Sequence, residues 1–199
     1  MHAGLITTLQ KVLKEAGVPT SATITEARGL RGTGDRSRPG DIVVLDYHSQ
    51  GRHLLLDGVV TSVYRNTRQR ETSEIPGYAA KLVEDRKFYA DKTSERPVAR
   101  IHGGLHTLVP FAVEDGGRLG AHAHAFLRTL AERAVSQGRR SSPAMCDPSG
   151  TVLRGDGATQ VSLWVQRWQR HISTWLHLCL SRQLLRLFIP KQAGEDVYS

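Results

Sequence analysis

The sequence has 199 residues, 27 of them Lys or Arg and 19 Asp or Glu, which gives a net charge of +8 in a chain long enough for one domain with a substantial core. Most of the basic residues are Arg, whose planar side chain suits phosphate, so the charge favours an acidic polymer as partner, although many soluble proteins reach this charge without binding nucleic acid. The sequence has only two cysteines, which argues against a disulfide framework and favours a reducing, intracellular compartment. No apolar run reaches the ~18 residues of a membrane span, so we expect a soluble protein.

The first predicted element is an N-terminal helix. Apolar residues fall at helical spacing in MHAGLITTLQKVLKEAGVP, and Gly17 and Pro19 end the pattern. Charged residues interrupt the apolar run, so the segment does not have the composition of a signal peptide. A short β-like segment, SATITEA, follows the helix.

A β-hairpin is predicted over RPGDIVVLDYHSQGRHLLLDGVV, which spans residues 38–60. Its two apolar runs are joined by the turn-forming residues His48 to Gly51. Pairing about this turn places Asp41 opposite Asp57 or Gly58. Two carboxylates that face each other across a ladder repel, so we expect a positive group between them.

The remaining pattern predicts a central strand, a crossover and further helices. Three consecutive leucines, Leu54 to Leu56, indicate that the second hairpin strand is buried on both faces. PGYAAKLVEDRKFYADK then predicts a helix beginning after Pro76, HTLVPFAVED a strand and RLGAHAHAFLRTLAERAV another helix. Residues 138–159 are rich in Gly, Ser, Pro and Arg and are expected to be a linker, with a long helix over 160–189. The predicted class is mixed α/β (α+β), with a domain over residues 1–137.

The two acids of the hairpin have two interpretations. Carboxylate oxygens are the ligands that Mg²⁺ prefers, and a magnesium site would act on phosphoryl groups. Alternatively, Asp41 is a strand-start residue and Asp57 a hydrogen-bonded structural acid. Because Asp57 follows three leucines in a strand predicted to be central, burial of its charge would cost several kcal/mol unless the charge is paired or metal-bound, which favours the first interpretation.

The order of RPGD, LLLDGVVTSVY and a helix containing EDRKFY resembles a known family, the restriction-like endonuclease (PD-(D/E)XK-type) domain at the carboxyl end of some non-LTR retrotransposon reverse transcriptases. The resemblance covers about residues 1–135 and implies a core of order α-β-β-β-α-β, here with an added C-terminal helix. It implies that Asp41 and Asp57 bind Mg²⁺ or Mn²⁺ and that Lys87 is the catalytic lysine, with Lys81 as the second candidate.

The function implied by this resemblance is metal-dependent hydrolysis of DNA in the nucleus. The implied partners are DNA and the polymerase portion of a retroelement protein. The chain is then expected to be a fragment or a decayed copy of a larger element.

Two departures from the family pattern leave another hypothesis open. Gly40 stands between Pro39 and the first acid, and the Cys-Cys-His-Cys cluster expected upstream of it is absent from the sequence. The alternative is a catalytically inactive nucleic-acid-binding or interaction module on the same fold.

Two further features are candidates for contact with nucleic acid. The loop RGLRGTGDRSRPG can follow a phosphate backbone, and a solvated basic loop is the equal alternative. Its basic residues are Arg28, Arg31, Arg36 and Arg38. Trp164, Trp168 and Trp175 could stack on bases, but their helical spacing favours packing in the core.

Overall fold

The computed structural model describes residues 2–26, 40–48, 51–65, 71, 74–89, 106–139 and 157–188. These ranges contain helix α1 (His2–Glu15), strands β1 (Thr23–Thr25), β2 (Ile42–His48) and β3 (Arg52–Thr61), helix α2 (Tyr78–Tyr89), strand β4 (His106–Glu114), and helices α3 (Ala121–Ser136) and α4 (Gly157–Phe188). The order of the elements confirms the predicted mixed α/β class. Helix α4 begins three residues earlier than predicted, and most of the predicted linker, residues 140–156, lies outside the described ranges.

The four strands form one mixed sheet in the order β1-β2-β3-β4. Strands β1, β2 and β3 pair antiparallel, whereas β4 runs parallel to β3. A parallel pair needs a crossover connection, and α2 lies in it. Strand β3 is flanked on both sides, and Leu54, Leu55 and Leu56 are at most 1% exposed. The run of three leucines therefore correctly predicted a central, doubly covered strand.

The two faces of the sheet are distinguished by the alternation of side chains along β3. Leu54 and Leu56 belong to the main hydrophobic core with residues of α1, α3 and α4, whereas Leu55 packs with Val43 on the other face. Since side chains two residues apart share a face, Asp57 lies on the side of Leu55. Helix α2 contacts β3 and β4, and its contact with Asp57 places it on this second face.

Helix α4 packs into the main core. Trp168 and Ile172 are fully buried, and the indole Nε1 of Trp168 donates a hydrogen bond to Glu15 Oε2 of α1 at 3.0 Å. A Cβ atom on Gly4 would overlap the Trp175 indole, so the close approach of α1 and α4 requires a glycine there. Trp164 is also buried, and helical spacing thus correctly indicated a core role for the first two tryptophans. None of the helices in the described ranges is both long and apolar enough to span a lipid bilayer.

Candidate functional site

The register of the β2–β3 hairpin brings Asp41 and Asp57 together. Ile42 pairs with Leu56, and extension of this antiparallel register by one position sets Asp41 opposite Asp57. The backbone nitrogen of Asp41 donates to the carbonyl oxygen of Leu56 at 2.8 Å, and Asp41 Oδ2 accepts the N–H of Gly58 at 2.7 Å. This alignment is the one that the turn residues predicted.

Nearer the turn the register differs from that of a simple hairpin. It shifts between Val44 and His48, and within this irregular segment Asp46 has a φ of 49°. The backbone nitrogen of Asp46 donates to His53 Nδ1 at 3.1 Å instead of continuing the ladder. Because the bulge lies between the turn and the acids, the hairpin reaches Asp41 and Asp57 with the predicted alignment.

Gly40, which departs from the family pattern, has a steric role at this site. A Cβ atom on Gly40 would lie 3.0 Å from the carbonyl oxygen of Leu56, closer than ordinary van der Waals contact. The residue lets the chain enter β2 tightly against β3 immediately before Asp41. The inserted glycine is therefore compatible with the acid pair.

Helix α2 brings Lys87 to the acid pair. Lys87 Nζ donates a hydrogen bond to Asp57 Oδ2, and the two side chains are 30% and 26% exposed. Lys81, the second candidate, instead forms an ion pair with Asp85 at 2.7 Å on the same helix. Of the two lysines considered, Lys87 is the one whose ammonium group lies beside Asp57.

The electrostatics of Asp57 reflect opposing neighbours. Burial raises the pKa of the Asp57 carboxyl above its usual value, while the hydrogen bond and charge of Lys87 lower it. Asp41 raises the pKa further, through charge repulsion and through a contact between the two carboxyl groups. The two acids are thus close enough to perturb each other, and a cation would be stabilised between them.

A histidine that the sequence reasoning did not select also contacts the pair. His2, the first residue of α1, places Nε2 3.0 Å from Asp41 Oδ2, with the His2 side chain 54% and the Asp41 side chain 21% exposed. The two residues are 39 positions apart, and a single histidine at the start of a helix has no spacing pattern that predicts its partner.

Two fully buried glutamates fix the helices around the site. Glu114, the last residue of β4, accepts the backbone N–H groups of Gly77, Ala79 and Ala80 at 3.3, 2.9 and 3.4 Å. These groups belong to the start of α2, where backbone donors have no partner within the helix. The negative charge of Glu114 also complements the positive end of the helix dipole.

Glu84, from the middle of α2, has the same role for α3. Its carboxylate accepts the N–H groups of His122 and Ala123 at 2.9 and 3.0 Å, and that of Ala112 on β4 at 3.4 Å. A Cβ on Gly120 would overlap the Glu84 carboxyl group, so the glycine before α3 leaves room for it. Together the two glutamates tie α2, which carries Lys87, to β4 and α3.

The metal-binding capacity of the site rests on two carboxylates. Within the described ranges, no group of three or more His, Cys, Asp or Glu residues is arranged to hold a metal ion. Mg²⁺ commonly keeps several waters and binds through one or two carboxylates together with substrate phosphates. The paired oxygens of Asp41 and Asp57 fit that mode of binding, and they do not fit an all-protein metal cage.

The predicted DNA-binding arginines, Arg28, Arg31, Arg36 and Arg38, lie outside the described residues, so their role stays a prediction. No protein-family model matches the sequence, and no curated protein matches it closely enough to indicate a family. The function is therefore inferred from the geometry of the site.

Proposed function

We propose that this chain is a metal-dependent DNA endonuclease domain of the PD-(D/E)XK type that its motifs resemble. The observation that supports this most is the convergence of Asp41, Asp57 and Lys87 from the start of β2, from β3 and from α2. The order of the elements and the crossover through α2 agree with the core that this type of nuclease would have.

The acid pair would hold Mg²⁺ or Mn²⁺. A bound divalent ion supplies Lewis-acid stabilisation of the negative charge on a phosphodiester. Asp57 is partly buried, and its charge is disfavoured by burial and by Asp41, so binding of a cation would relieve an existing electrostatic cost.

Lys87, beside Asp57, would interact with the DNA substrate or the attacking water. Its ammonium group donates to the Asp57 carboxylate, and the Lys87 side chain is 30% exposed, so the remaining donors could reach a phosphate oxygen or orient an attacking water molecule. Because Glu84 and Glu114 tie α2 to the elements around it, the lysine is positioned before substrate arrives.

The proposed partner is DNA, and the proposed context is a retroelement protein. The arginine-rich loop directly precedes Asp41 in the sequence, so contacts of this loop with the phosphate backbone would guide DNA toward the acids. We propose that the domain belongs to a retroelement protein, acts beside its polymerase portion and works on nuclear DNA.

One observation favours a second candidate, an inactive nucleic-acid-binding module on the same fold. Lys87 donates a hydrogen bond to Asp57, and a purely structural ion pair would have the same arrangement. In the part of the chain that the structure describes, no third His, Cys, Asp or Glu side chain joins the two facing carboxylates in a group that could hold a metal ion. A protein that had lost catalysis could keep both features.

The two candidates differ in what happens to DNA. Purified protein is incubated with supercoiled plasmid in Mg²⁺, in Mn²⁺ and in EDTA, and binding to a short duplex is measured over a range of salt concentrations. Nicking or linearisation that depends on the metal supports the endonuclease. Salt-sensitive binding without cleavage in either metal supports the inactive module and contradicts the endonuclease.

A further inference from the structure

The carboxylate of Asp41 is held on one oxygen by two different elements. Asp41 Oδ2 accepts the backbone N–H of Gly58 on β3 at 2.7 Å, and the His2 imidazole of α1 lies 3.0 Å from the same oxygen. An ionised carboxylate can only accept hydrogen bonds, so His2 Nε2 is the donor in this contact. Both contacts fall on Oδ2, and neither uses Oδ1, while the Asp57 carboxyl is a further neighbour of the Asp41 side chain.

Helix α1, which begins with His2, packs against β3 beside Asp41. In the same turns of α1, Leu5 and Ile6 belong to the main core, and a Cβ on Gly58 would lie 3.3 Å from Leu5 and 3.1 Å from Ile6. Gly58 thus packs against α1 and also donates to Asp41. The packing of α1 against Gly58 therefore places His2 beside Asp41.

Resting on the proposed function, we infer that His2 is a positioning residue of the site. It holds the Asp41 carboxylate by Oδ2, so that Oδ1 remains available to a divalent cation. Partners of this kind set the orientation of a metal-binding carboxylate, and their loss typically weakens metal affinity by about 10- to 100-fold. A solvent-exposed ion pair without such a role would contribute little.

The test measures metal affinity directly, with Mn²⁺ as the probe and no DNA present. Mn²⁺ binding to the full chain is followed by electron paramagnetic resonance for wild type, His2→Ala, His2→Gln and His124→Ala. His124 is the matched control, because it is an exposed histidine in the first turn of α3. Thermal unfolding of each variant is recorded in parallel without metal.

We expect His2→Ala to weaken Mn²⁺ binding by about 10- to 100-fold with little change in the unfolding temperature. His2→Gln, which keeps an N–H donor, should restore most of the affinity, and His124→Ala should match wild type. If wild type binds Mn²⁺ and His2→Ala binds it equally well, the inference is wrong and the proposed function stands. If His2→Gln binds Mn²⁺ as weakly as His2→Ala, a hydrogen bond to Asp41 is not how His2 affects metal binding, and the inference is also wrong. If wild type binds no Mn²⁺, the metal site and this inference both fail.

Discussion

Lys87 of α2 and Asp57 of β3 form a hydrogen-bonded ion pair, although 30 residues separate them in the sequence. The pair forms because the crossover from β3 to the parallel strand β4 carries α2 back across the sheet. Its consequence is electrostatic, since Lys87 offsets part of the cost that burial and Asp41 impose on the Asp57 charge.

Replacement of Lys87 by Met tests the catalytic role of this lysine. Met keeps most of the aliphatic stem and removes the charge, so the variant should fold. If the ammonium group acts in the transition state, cleavage should fall by about 100-fold or more while DNA affinity changes far less. Initial cleavage rates and duplex binding are measured on the same preparations.

Lys81→Met is the matched control for Lys87→Met, because Lys81 lies on the same helix and pairs with Asp85. It should cleave at the wild-type rate. Normal cleavage by Lys87→Met together with loss of cleavage in Lys81→Met would show that α2 carries the catalytic lysine but that this lysine is Lys81. If neither change matters in an active protein, the lysine has no catalytic role.

The pKa of Asp57 predicts a pH dependence of stability. The folded protein raises this pKa, so it holds the Asp57 proton more tightly than the unfolded chain does. The resulting stabilisation is present below the usual aspartate pKa and is lost as pH rises through the higher folded value. Asp57→Asn cannot titrate, so the free energy of unfolding of wild type minus that of the variant should fall with rising pH.

Urea unfolding of wild type and Asp57→Asn, at steps between about pH 4 and pH 7 and without metal, measures this difference. A difference that rises with pH would mean that the attraction of Lys87 exceeds the effects of burial and of Asp41, and that the pKa is lowered. Asp46→Asn, at an exposed acid of the same hairpin, controls for the general loss of a carboxylate.

Local patterns were enough to predict the centre of the site. The turn residues predicted Asp41 opposite Asp57 or Gly58, and the register beyond the irregular segment of β2 has this alignment. Three leucines in a row indicate burial on both faces. Family resemblance and helical spacing predicted that Lys87 extends toward Asp57, where the structure places it, and its catalytic role stays a prediction. Each of these features depends on residues close together in the sequence or on a short motif.

The features that sequence reasoning missed depend on contacts between distant residues. His2 meets Asp41, and Glu84 meets the start of α3, across 38 or more positions with no repeating pattern between them. The register shift in β2 was also missed, because two additional residues in this strand change the pairing without any marked change in composition. Such contacts follow from tertiary packing, which a single sequence does not display.

The two buried glutamates should be important for stability. Glu84→Ala leaves the first donors of α3 buried without their charged acceptor, and we expect a loss of about 2–4 kcal/mol in the free energy of unfolding. Glu84→Gln keeps one acceptor oxygen and should lose less. The exposed Glu132, which pairs with Arg128 at 3.2 Å on α3, is the matched control, and Glu132→Ala should cost about 0.5 kcal/mol or less.

Urea unfolding of the three glutamate variants provides these values. A Glu84→Ala variant as stable as Glu132→Ala would mean that water or another group replaces the carboxylate at the start of α3.

The arginine-rich loop makes a prediction about salt dependence. Simultaneous replacement of Arg28, Arg31, Arg36 and Arg38 by Ala should weaken DNA binding at every sequence tested. The slope of log affinity against log salt should flatten by up to about 0.9 for each phosphate group that the variant no longer neutralises. Replacement of four exposed basic residues of α1 and α4, Lys11, Lys14, Arg170 and Arg182, by Ala removes the same number of charges and controls for total charge. A slope equal to that of wild type would mean that the four arginines are solvated and do not contact DNA phosphates.

The proposed metal site is tested most directly by the rate of plasmid cleavage by Asp57→Asn in Mg²⁺ and Mn²⁺, beside wild type and Asp46→Asn. Asparagine preserves the size of the side chain but removes the charge that would bind metal and hold Lys87. We predict metal-dependent cleavage by wild type and Asp46→Asn, and a cleavage rate at least about 100-fold lower in Asp57→Asn with DNA binding retained. Cleavage by Asp57→Asn at the wild-type rate, or no cleavage by wild type in either metal, would contradict the endonuclease proposal.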